Sequence, residues 1–330
     1  MSPDDALRQV ESTIGREAFE RVTSRLGDSE TLLLSGSLVE GIGNHRSDLD
    51  FYLVSEDSNE KATQMAFAQD AYLDCERLSA RRLDDLATEF DDTVYDDAGI
   101  AALPLSRLDL YYRIAIAVPL NGAGRHAELL GRFSRERACE LLGQWATLHS
   151  DANTARARIA LRAGSVRHAA VYANDAAALG VMSLLAGIGE GYPSLKWTGE
   201  KAARAFAGQP DQLAEVARLL SYGDDPATYV ATTLDWLDGR SVDRMPPEEP
   251  AAEIVLVHGP GTPPGHAVVV RRKVHQVIAE DSLVVAALAD PELRAYDSVR
   301  AVPGVTPGQA AALVTAVVTE LLGTGSGGRR

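Results

Sequence analysis

The first stretch of the chain alternates between two hydrophobic periods. Residues 2–26 carry apolar side chains at helical spacing, open with Ser-Pro and two aspartates, and end at Gly27. An apolar run at 32–34 then stops at a Gly-Ser pair, 36–37, and a second apolar run occupies 49–54 after a polar, glycine-spaced loop. The pattern predicts one helix followed by a strand, a loop and a second strand.

Shorter elements follow in the same region. Acidic side chains at alternate positions indicate a third strand at 71–78. Helical spacing predicts helices at 60–69, 79–90 and 106–116. With a turn-rich break at 118–122, these elements predict a mixed-sheet domain over residues 1–122.

Beyond residue 122 the composition shifts to Ala, Leu and Arg at helical spacing. Helices are expected at 124–133, 134–163, 166–187, 198–206, 210–222 and 226–237. Because their connections are short, we expect an antiparallel helical bundle over residues 123–245.

The last part, residues 246–330, begins in a linker rich in proline and charge. β-branched runs predict strands at 253–257 and 267–278, and helices are expected at 282–288 and 306–322. Two strands and two helices favour a small α/β, winged-helix-like module. The expected fold class is therefore α+β, with a mixed-sheet domain, an all-α bundle and this module in chain order.

Two carboxylates at the start of the second apolar run indicate chemistry. Side chains on a strand alternate between its faces, so Asp48 and Asp50 project to one side while Leu49 and Phe51 point to the buried side. Two like charges so close are unfavourable unless a cation lies between them or one stays protonated, and hard oxygen ligands suit Mg²⁺. The pair therefore predicts a metal site.

A Gly-Ser turn, Gly36-Ser37, precedes this pair. Glycine lets the backbone approach a bound group closely, so the N–H groups of such a turn and the Ser37 hydroxyl can contact an anion. The turn and the carboxylates together predict a site for a phosphate and a metal.

A known signature contains these same residues: Gly36-Ser37, Gly41 and Ser47-Asp48-Leu49-Asp50. It resembles that of the polymerase-beta-type nucleotidyltransferase superfamily, in the form found in small-molecule nucleotidyltransferases of the aminoglycoside and lincosamide type. The resemblance implies two Mg²⁺ ions, ATP or another nucleoside triphosphate as co-substrate, and nucleotide contacts from the turn, Arg46 and Ser47. The alternative, a hairpin whose acids only face solvent, leaves the Gly-Ser pair unexplained.

The resemblance also implies a third carboxylate on a neighbouring strand. Asp74 fits its place, shortly before a predicted helix. Glu76 shares a strand face with Asp74 and is the second candidate, although it could instead pair with Arg77 or Arg81. Asp109 is a weaker candidate because it falls in a predicted amphipathic helix. The choice among these three acids stays open.

One further pair in the bundle has a functional counterpart. Lys196-Trp197 resembles the Lys-Trp element of small-molecule nucleotidyltransferases, in which the lysine reaches the nucleotide phosphates. An ammonium group there would neutralise charge on a triphosphate. The alternative is an exposed lysine beside a buried tryptophan.

Charge narrows the class of partner. The net charge is −15, and residues 1–122 hold 24 acidic against 11 basic side chains. Such a field repels DNA and long RNA and attracts Mg²⁺ or a cationic substrate. We therefore expect a small-molecule acceptor and no nucleic-acid partner.

Cysteine usage and hydropathy indicate the compartment. The two cysteines, Cys75 and Cys139, are too few and too far apart for a disulfide framework or a zinc site. No signal-peptide pattern precedes the first helix, and the longest apolar stretch, 176–189, is too short to cross a bilayer. We expect a cytoplasmic protein without a membrane partner.

The expected function is metal-dependent transfer of a nucleoside monophosphate, AMP from ATP in the first instance, to a hydroxyl group of a small acceptor. Asp48 and Asp50 would hold the metal ions, and Asp74 would share one of them and take the acceptor's proton. Three alternatives stay open: an RNA-modifying enzyme, a protein-modifying nucleotidyltransferase and a nucleotide-binding module without activity. The acceptor and the oligomeric state are not specified by the sequence.

Overall fold

The structure, a computed structural model, groups the chain into two compact units. It describes residues 1–24, 26–27, 29–43, 47–56, 64–68, 71–91, 95–121, 124–162, 164–223, 225–242, 244, 254–257, 266–271, 274–279 and 295–323. The first unit consists of Met1–Val94, Pro104–Leu141 and Tyr192–Lys201, and the second of Tyr95–Leu103, Leu142–Gly191 and Ala202–Arg330. Each unit is thus assembled from separate stretches of the chain, and the division into three parts in chain order stays a prediction.

The first unit is built on a five-stranded sheet. Its strands are β1 (Thr31–Ser35), β2 (Leu49–Ser55), β3 (Gln64–Ala68), β4 (Ala71–Ser79) and β5 (Val118–Pro119). They lie in the order β3-β4-β2-β1-β5, and β2 and β4 are parallel while the other neighbours are antiparallel. The predicted mixed sheet is confirmed.

Helices make up most of the remaining described structure. In chain order they are α1 (Pro3–Ile14), α2 (Arg16–Thr23), α3 (Gly36–Val39), α4 (Ala80–Asp91), α5 (Asp97–Ala102), α6 (Leu105–Ala115), α7 (Ala127–Leu130), α8 (Arg135–Arg162), α9 (Val166–Gly187), α10 (Thr198–Ala205), α11 (Pro210–Leu220), α12 (Pro226–Asp238), α13 (Ala295–Arg300) and α14 (Pro307–Gly323). A short 3₁₀ helix, Leu195–Trp197, precedes α10. The α+β class is therefore confirmed.

The N-terminal helical segment is two helices and not one. Gly15 separates α1 from α2 and has a φ of +82°, which L side chains rarely adopt. Its N–H group donates to the Glu11 carbonyl, which closes α1. Helical spacing continues across this glycine, so periodicity alone did not predict the break.

The helix predicted at 60–69 is wrong over its described part. Residues 64–68 form β3, which pairs antiparallel with β4, Gln64 opposite Cys75. Pairing with a neighbouring strand satisfies the backbone hydrogen bonds of this short segment and overrides its weak helical spacing. Residues 60–63 and 69 lie outside the described part of the chain.

One face of the sheet packs against α1 and α2. Alternate residues of β1 and β2 supply the sheet side of this core, and each of its members is at most 9% exposed. The core consists of Ala6, Val10, Ile14, Phe19, Leu32, Leu34, Val39, Leu49, Phe51, Leu53 and Val118. Because side chains alternate along a strand, the opposite face is left to Asp50 and Tyr52.

The helices beyond residue 122 largely have the bounds that the sequence pattern predicted. The expected helices at 134–163, 166–187, 198–206, 210–222 and 226–237 are α8 to α12, with ends shifted by at most two residues. The helix expected at 124–133 is shorter, since α7 covers four residues. In the second unit α9 packs against α11 and α12, and Trp236 lies against Gly180.

The C-terminal part contains one more strand than expected. Strands β6 (Ile254–Val257), β7 (His266–Arg271) and β8 (Val274–Ala279) form an antiparallel sheet in that order. The second predicted strand is thus a hairpin of two. Helix α14 confirms the helix expected at 306–322, whereas the one at 282–288 lies outside the described residues. The winged-helix-like arrangement stays a prediction.

In the described part of the chain, α9 is the one helix whose length and composition would suit a membrane span. Most of its apolar window is buried inside the protein, as in the central helix of a bundle. Its hydrophobicity is therefore weak evidence for a membrane span.

Gly180 offers a test of the packing of α9. A Cβ atom placed on it would lie 2.8 Å from Cζ3 of Trp236, so Gly180→Ala should lower the free energy of unfolding by about 1–3 kcal/mol. Gly187→Ala is the matched control, since nothing lies within 4 Å of a Cβ at that end of the same helix. The control should be neutral or stabilising by up to about 1 kcal/mol. Denaturant unfolding of both variants measures the difference, and equal effects would contradict the packing.

Candidate active site

Strands β2 and β4 bring two of the predicted acids together. In their parallel register Asp50 lies opposite Asp74, and Phe51 lies opposite Cys75. Phe51 belongs to the buried core, so Asp50 and Asp74 project from the other face of the sheet. Asp48 directly precedes β2 and is exposed. The structure therefore places the three acids near one another at the start of β2, in the interior of the sheet and not at its edge.

Glu76 has a different environment. It lies opposite Tyr52, two positions further along β4, and its side chain is 39% exposed. Its described ion-pair partner is Arg82, 3.4 Å away, and Arg77 instead pairs with Glu30. The expected pairing of Glu76 with Arg77 or Arg81 is wrong, because Arg77 points to the opposite face of the strand. Glu76 is therefore a partly exposed acid on β4 whose ion-pair partner lies on α4.

The Gly36-Ser37 turn lies directly against Asp50. Gly36 has a φ of +78°, and a Cβ atom placed on it would overlap the Asp50 carboxylate. Ser37 is buried, and its carbonyl accepts hydrogen bonds from the N–H groups of Ile42 (3.0 Å) and Gly43 (2.8 Å). Only glycine combines this backbone conformation with so close an approach to the carboxylate.

Arg113 is a functional candidate that the sequence pattern did not single out. Its Nη1 lies 3.1 Å from Asp50 Oδ1, and its Nε donates to Asp109 Oδ2 at 2.9 Å. The Arg113 carbonyl accepts a hydrogen bond of 2.6 Å from the Ser35 hydroxyl at the end of β1. Arg113 is therefore fixed at both its backbone and its guanidinium, and it bridges α6 to the carboxylates of the sheet.

The electrostatics of Asp50 reflect these neighbours. Burial raises the pKa of Asp50; Arg113 acts in the opposite direction, and the nearby charges of Asp48 and Asp74 raise the pKa further. The net direction is upward. The guanidinium of Arg113 therefore does not offset the effect of burial on Asp50.

Asp109 joins the same cluster from α6. Burial raises its pKa against the influence of Arg113, and its buried Oδ1 atom has no hydrogen-bond partner in the described structure. The predicted amphipathic helix over this residue is confirmed as α6. Arg113 pairs with both Asp109 and Asp50, so α6 contributes to the site. Asp109 is thus part of the cluster, although its place in a predicted helix made it the weaker candidate.

Two tyrosines interact electrostatically with this charged cluster. Tyr52 on β2 and Tyr192, from the stretch before Lys196, are both buried. Burial raises the pKa of Tyr192 to about 12 against the influence of Arg113, with Asp109 and Asp50 adding to the rise. Their hydroxyl groups are therefore neutral at physiological pH and available as hydrogen-bond donors.

The remaining predicted nucleotide contacts are less defined. Ser47 is half-buried next to Asp48, whereas Arg46 lies outside the described residues. Lys196 is exposed, with its ammonium 4.8 Å from the centre of the Trp197 ring, and Trp197 is buried. The roles of Arg46, Ser47 and Lys196 in nucleotide binding stay predictions.

The acids of the cluster can be compared with the needs of Mg²⁺. Among the described residues, no group of three or more Asp, Glu, His or Cys side chains is arranged to hold a metal ion. The buried Oδ1 of Asp74 nevertheless has no hydrogen-bond partner. Asp50, beside it on the parallel strand, forms an ion pair with Arg113. Orphaned carboxylate oxygens beside a like charge are the donors that a hard cation prefers. The carboxylate oxygens of these residues are therefore suitable ligands for Mg²⁺.

No family model matches the chain, and no curated protein matches it. Among solved structures, a nucleotidyltransferase-like protein from Exiguobacterium sibiricum 255-15 is similar, with a TM-score of 0.38 and 12% sequence identity. The similarity covers 71% of this chain and 73% of that protein.

The raised pKa of Asp50 leads to a prediction for stability. An acid whose pKa is higher in the folded state destabilises the fold at pH values above both pKa values, and this effect vanishes below the unfolded value, 3.8. Asp50→Asn should therefore raise the midpoint of thermal unfolding at pH 7, and the gain should shrink as the pH falls toward 3.8. Asp85→Asn, on the exposed side of α4, is the control. A lower midpoint for Asp50→Asn would show that the ion pair with Arg113 outweighs burial.

Proposed function

We propose that this chain is a metal-dependent nucleotidyltransferase that transfers a nucleoside monophosphate from a triphosphate to a hydroxyl group of a small acceptor and releases pyrophosphate. ATP is the expected donor. The observation that supports this most is the approach of the Gly36 turn to Asp50, with Asp74 next to Asp50 on the parallel strand. The proposed anion-binding turn and the two carboxylates therefore lie next to each other on the sheet.

The carboxylates are assigned to the metal. Mg²⁺ would be held by Asp48, Asp50 and Asp74, with two ions expected from the sequence resemblance. When bound, Mg²⁺ neutralises the charge of the transferring phosphoryl group and of the leaving pyrophosphate. Arg113 compensates part of the charge of Asp50 and Asp109 in the described structure.

The other residues bind, orient and move a proton. The N–H groups of the Gly36-Ser37 turn and the Ser37 hydroxyl would donate to the phosphates, with Arg46, Ser47 and Lys196 as further contacts. The acceptor oxygen attacks the α-phosphorus, and the bond from that phosphorus to the bridging oxygen of pyrophosphate breaks. Asp74 takes the acceptor's proton, and its orphaned Oδ1 is the atom with an open acceptor position.

A cationic acceptor fits the charge around the site. Residues 1–122 hold 24 acidic against 11 basic side chains, and Asp109 keeps one buried carboxylate oxygen without a partner. Both features favour a substrate with amino groups over a polyanion. The charge around the site therefore argues against a polynucleotide-modifying enzyme, whereas a protein-modifying nucleotidyltransferase stays an alternative.

One observation favours a different function, a nucleotide-binding module without activity. Arg113 already pairs with Asp50, and the acids of the cluster do not form a group that holds a metal in the described structure. If Arg113 permanently occupied the place of a cation, nucleotides would bind and no transfer would follow.

A transfer assay separates these two readings. The chain would be incubated with Mg²⁺, each of ATP, GTP, CTP and UTP, and a panel of amino-group-containing hydroxyl compounds, and pyrophosphate release and product mass would be measured. Turnover that disappears in Asp48→Asn, a change at an exposed residue, supports the enzyme. Tight nucleotide binding without pyrophosphate release from any pair would favour the module.

Ser37→Ala tests the turn. The change removes one hydrogen bond to a charged phosphate, worth about 1.5–3 kcal/mol, so the dissociation constant for the nucleotide should rise roughly ten- to a hundredfold. Calorimetric titration measures it, with Ser12→Ala on the exposed side of α1 as the control. An unchanged constant would leave Ser37 as a turn residue only.

Asp74→Asn and Glu76→Gln test the identity of the base. The Asp74 variant should lose turnover by at least a hundredfold, the lower end for general base catalysis, while nucleotide affinity changes little. Glu76, which pairs with Arg82 at the surface, should tolerate its change within about threefold. Parallel turnover and nucleotide titration on both variants and on Asp109→Asn check the assignment, and an active Asp74 variant beside an inactive Glu76 or Asp109 variant would reverse it.

A further inference from the structure

The most deeply buried ion pair of the first unit involves neither of the predicted catalytic strands. Lys201 Nζ pairs with Glu40 Oε2, and both side chains are 1% exposed. The two residues are 161 positions apart in the chain, and Lys201 lies at the end of the segment Tyr192–Lys201 that joins this unit. A contact across so many residues must be made by the fold, because no local structure brings these side chains together.

Other side chains complete the pair. The Tyr112 hydroxyl donates to Glu40 Oε1 at 2.6 Å, and Arg135 Nη2 lies 3.5 Å from Glu40 Oε2. Lys201 Nζ lies 5.9 and 5.5 Å from the ring centres of Tyr112 and Tyr192, and the two rings contact each other edge to face. Burial alone would raise the pKa of Glu40, but the hydrogen bonds from Lys201 and Tyr112 and the charges of Lys201 and Arg135 outweigh it and lower the pKa. Glu40 is therefore held ionised inside the protein.

Glu40 is connected to the phosphate-binding turn through the backbone. Its N–H group donates to the Gly36 carbonyl at 3.2 Å, and it directly follows α3, the single helical turn that begins at Gly36. On its other side Gly36 lies against Asp50. A four-residue helix has little stability of its own, so the position of the turn depends on what fixes its two ends.

Stability alone is a poor reason for such a pair. Removing two charges from water costs about as much as their attraction returns, and well-packed apolar side chains would serve a core equally well. What a buried ion pair does supply is a fixed geometry, because each charge is strongly penalised when its partner moves away.

We propose that Glu40 and Lys201, with Tyr112, are positioning residues that fix the Gly36-Ser37 turn for the phosphates of the nucleotide. The inference rests on the proposed function. Glu40 fixes the C-terminal end of the turn, and Lys201 and Tyr112 fix Glu40. None of the three residues contacts the reacting atoms.

The double variant Glu40→Gln/Lys201→Met tests this positioning. It removes both charges of the Glu40–Lys201 pair together, and the Gln oxygen still accepts from Tyr112. The wild type is first titrated calorimetrically with ATP, GTP, CTP and UTP in the presence of Mg²⁺. The best-bound triphosphate and its monophosphate are then titrated into the variants.

The matched control uses the buried ion pair of the second unit. Arg244 and Asp151 pair there with side chains that are 7% exposed, so Asp151→Asn/Arg244→Met removes a comparable pair from a different unit. Thermal unfolding of each variant verifies that the protein is folded.

The positioning role predicts a selective loss. The Glu40/Lys201 variant should bind the triphosphate at least tenfold more weakly and the monophosphate within about threefold of wild type, while the control binds both as wild type does. Wild-type affinity for the triphosphate in the folded double variant would overturn the inference. Equal losses for both ligands, or the same loss in the control, would also overturn it, since a general structural effect explains either result.

Tyr112→Phe decides the question if the double variant does not fold. It removes the hydroxyl that donates to Glu40 and keeps the ring, and it should weaken triphosphate binding by at least threefold without affecting the monophosphate. Unchanged binding would overturn the inference. A wild-type chain that binds none of the four triphosphates would instead overturn the proposed function, and the positioning role with it.

Discussion

Asp50 and Asp74 lie side by side on adjacent parallel strands, and the repulsion between their carboxylates is the constraint that the rest of the first unit accommodates. Partial burial increases that repulsion because water screens the charges less. Burial is the largest cause of the raised pKa of Asp50, and the charges of Asp48 and Asp74 add to it. A fold that only needed a stable sheet would place apolar or uncharged residues at these positions, as it does at Leu53 and Val54 further along β2.

Three parts of the chain respond to this constraint. Residue 36 is a glycine, and because it has no side chain the turn can lie against Asp50. Helix α6 delivers Arg113, which is held by Ser35 through its carbonyl and by Asp109 through its guanidinium. Asp109 both orients Arg113 and adds a further buried acid, so the compensation remains partial. The arrangement therefore stays receptive to an additional cation.

Those parts of this site that depend on local sequence patterns could be predicted from the sequence. Strand parity was enough to predict that Asp48 and Asp50 share a face, and spacing predicted a turn at the Gly-Ser pair, whereas the place of Asp74 beside them was implied only by the resemblance to nucleotidyltransferases. Arg113 and the Glu40–Lys201 pair could not be predicted in this way, because their contacts depend on how α6 and the segment before α10 pack onto the sheet. An uninterrupted helical spacing likewise concealed the break at Gly15, and β3 is a strand because β4 is available beside it.

The turn is connected to two clusters by different contacts. Asp50 lies directly against Gly36, with Asp74 beside it on β4 and Asp109 linked to it through Arg113. Glu40 is joined to the turn through the backbone and is held by Lys201 and Tyr112. Under the proposed function, the first cluster would attract the metal ion, and the second would hold the turn in place for the phosphates. A magnesium-bound triphosphate would then be oriented by the carboxylates and the turn together, before any contact to base or sugar selects the nucleotide.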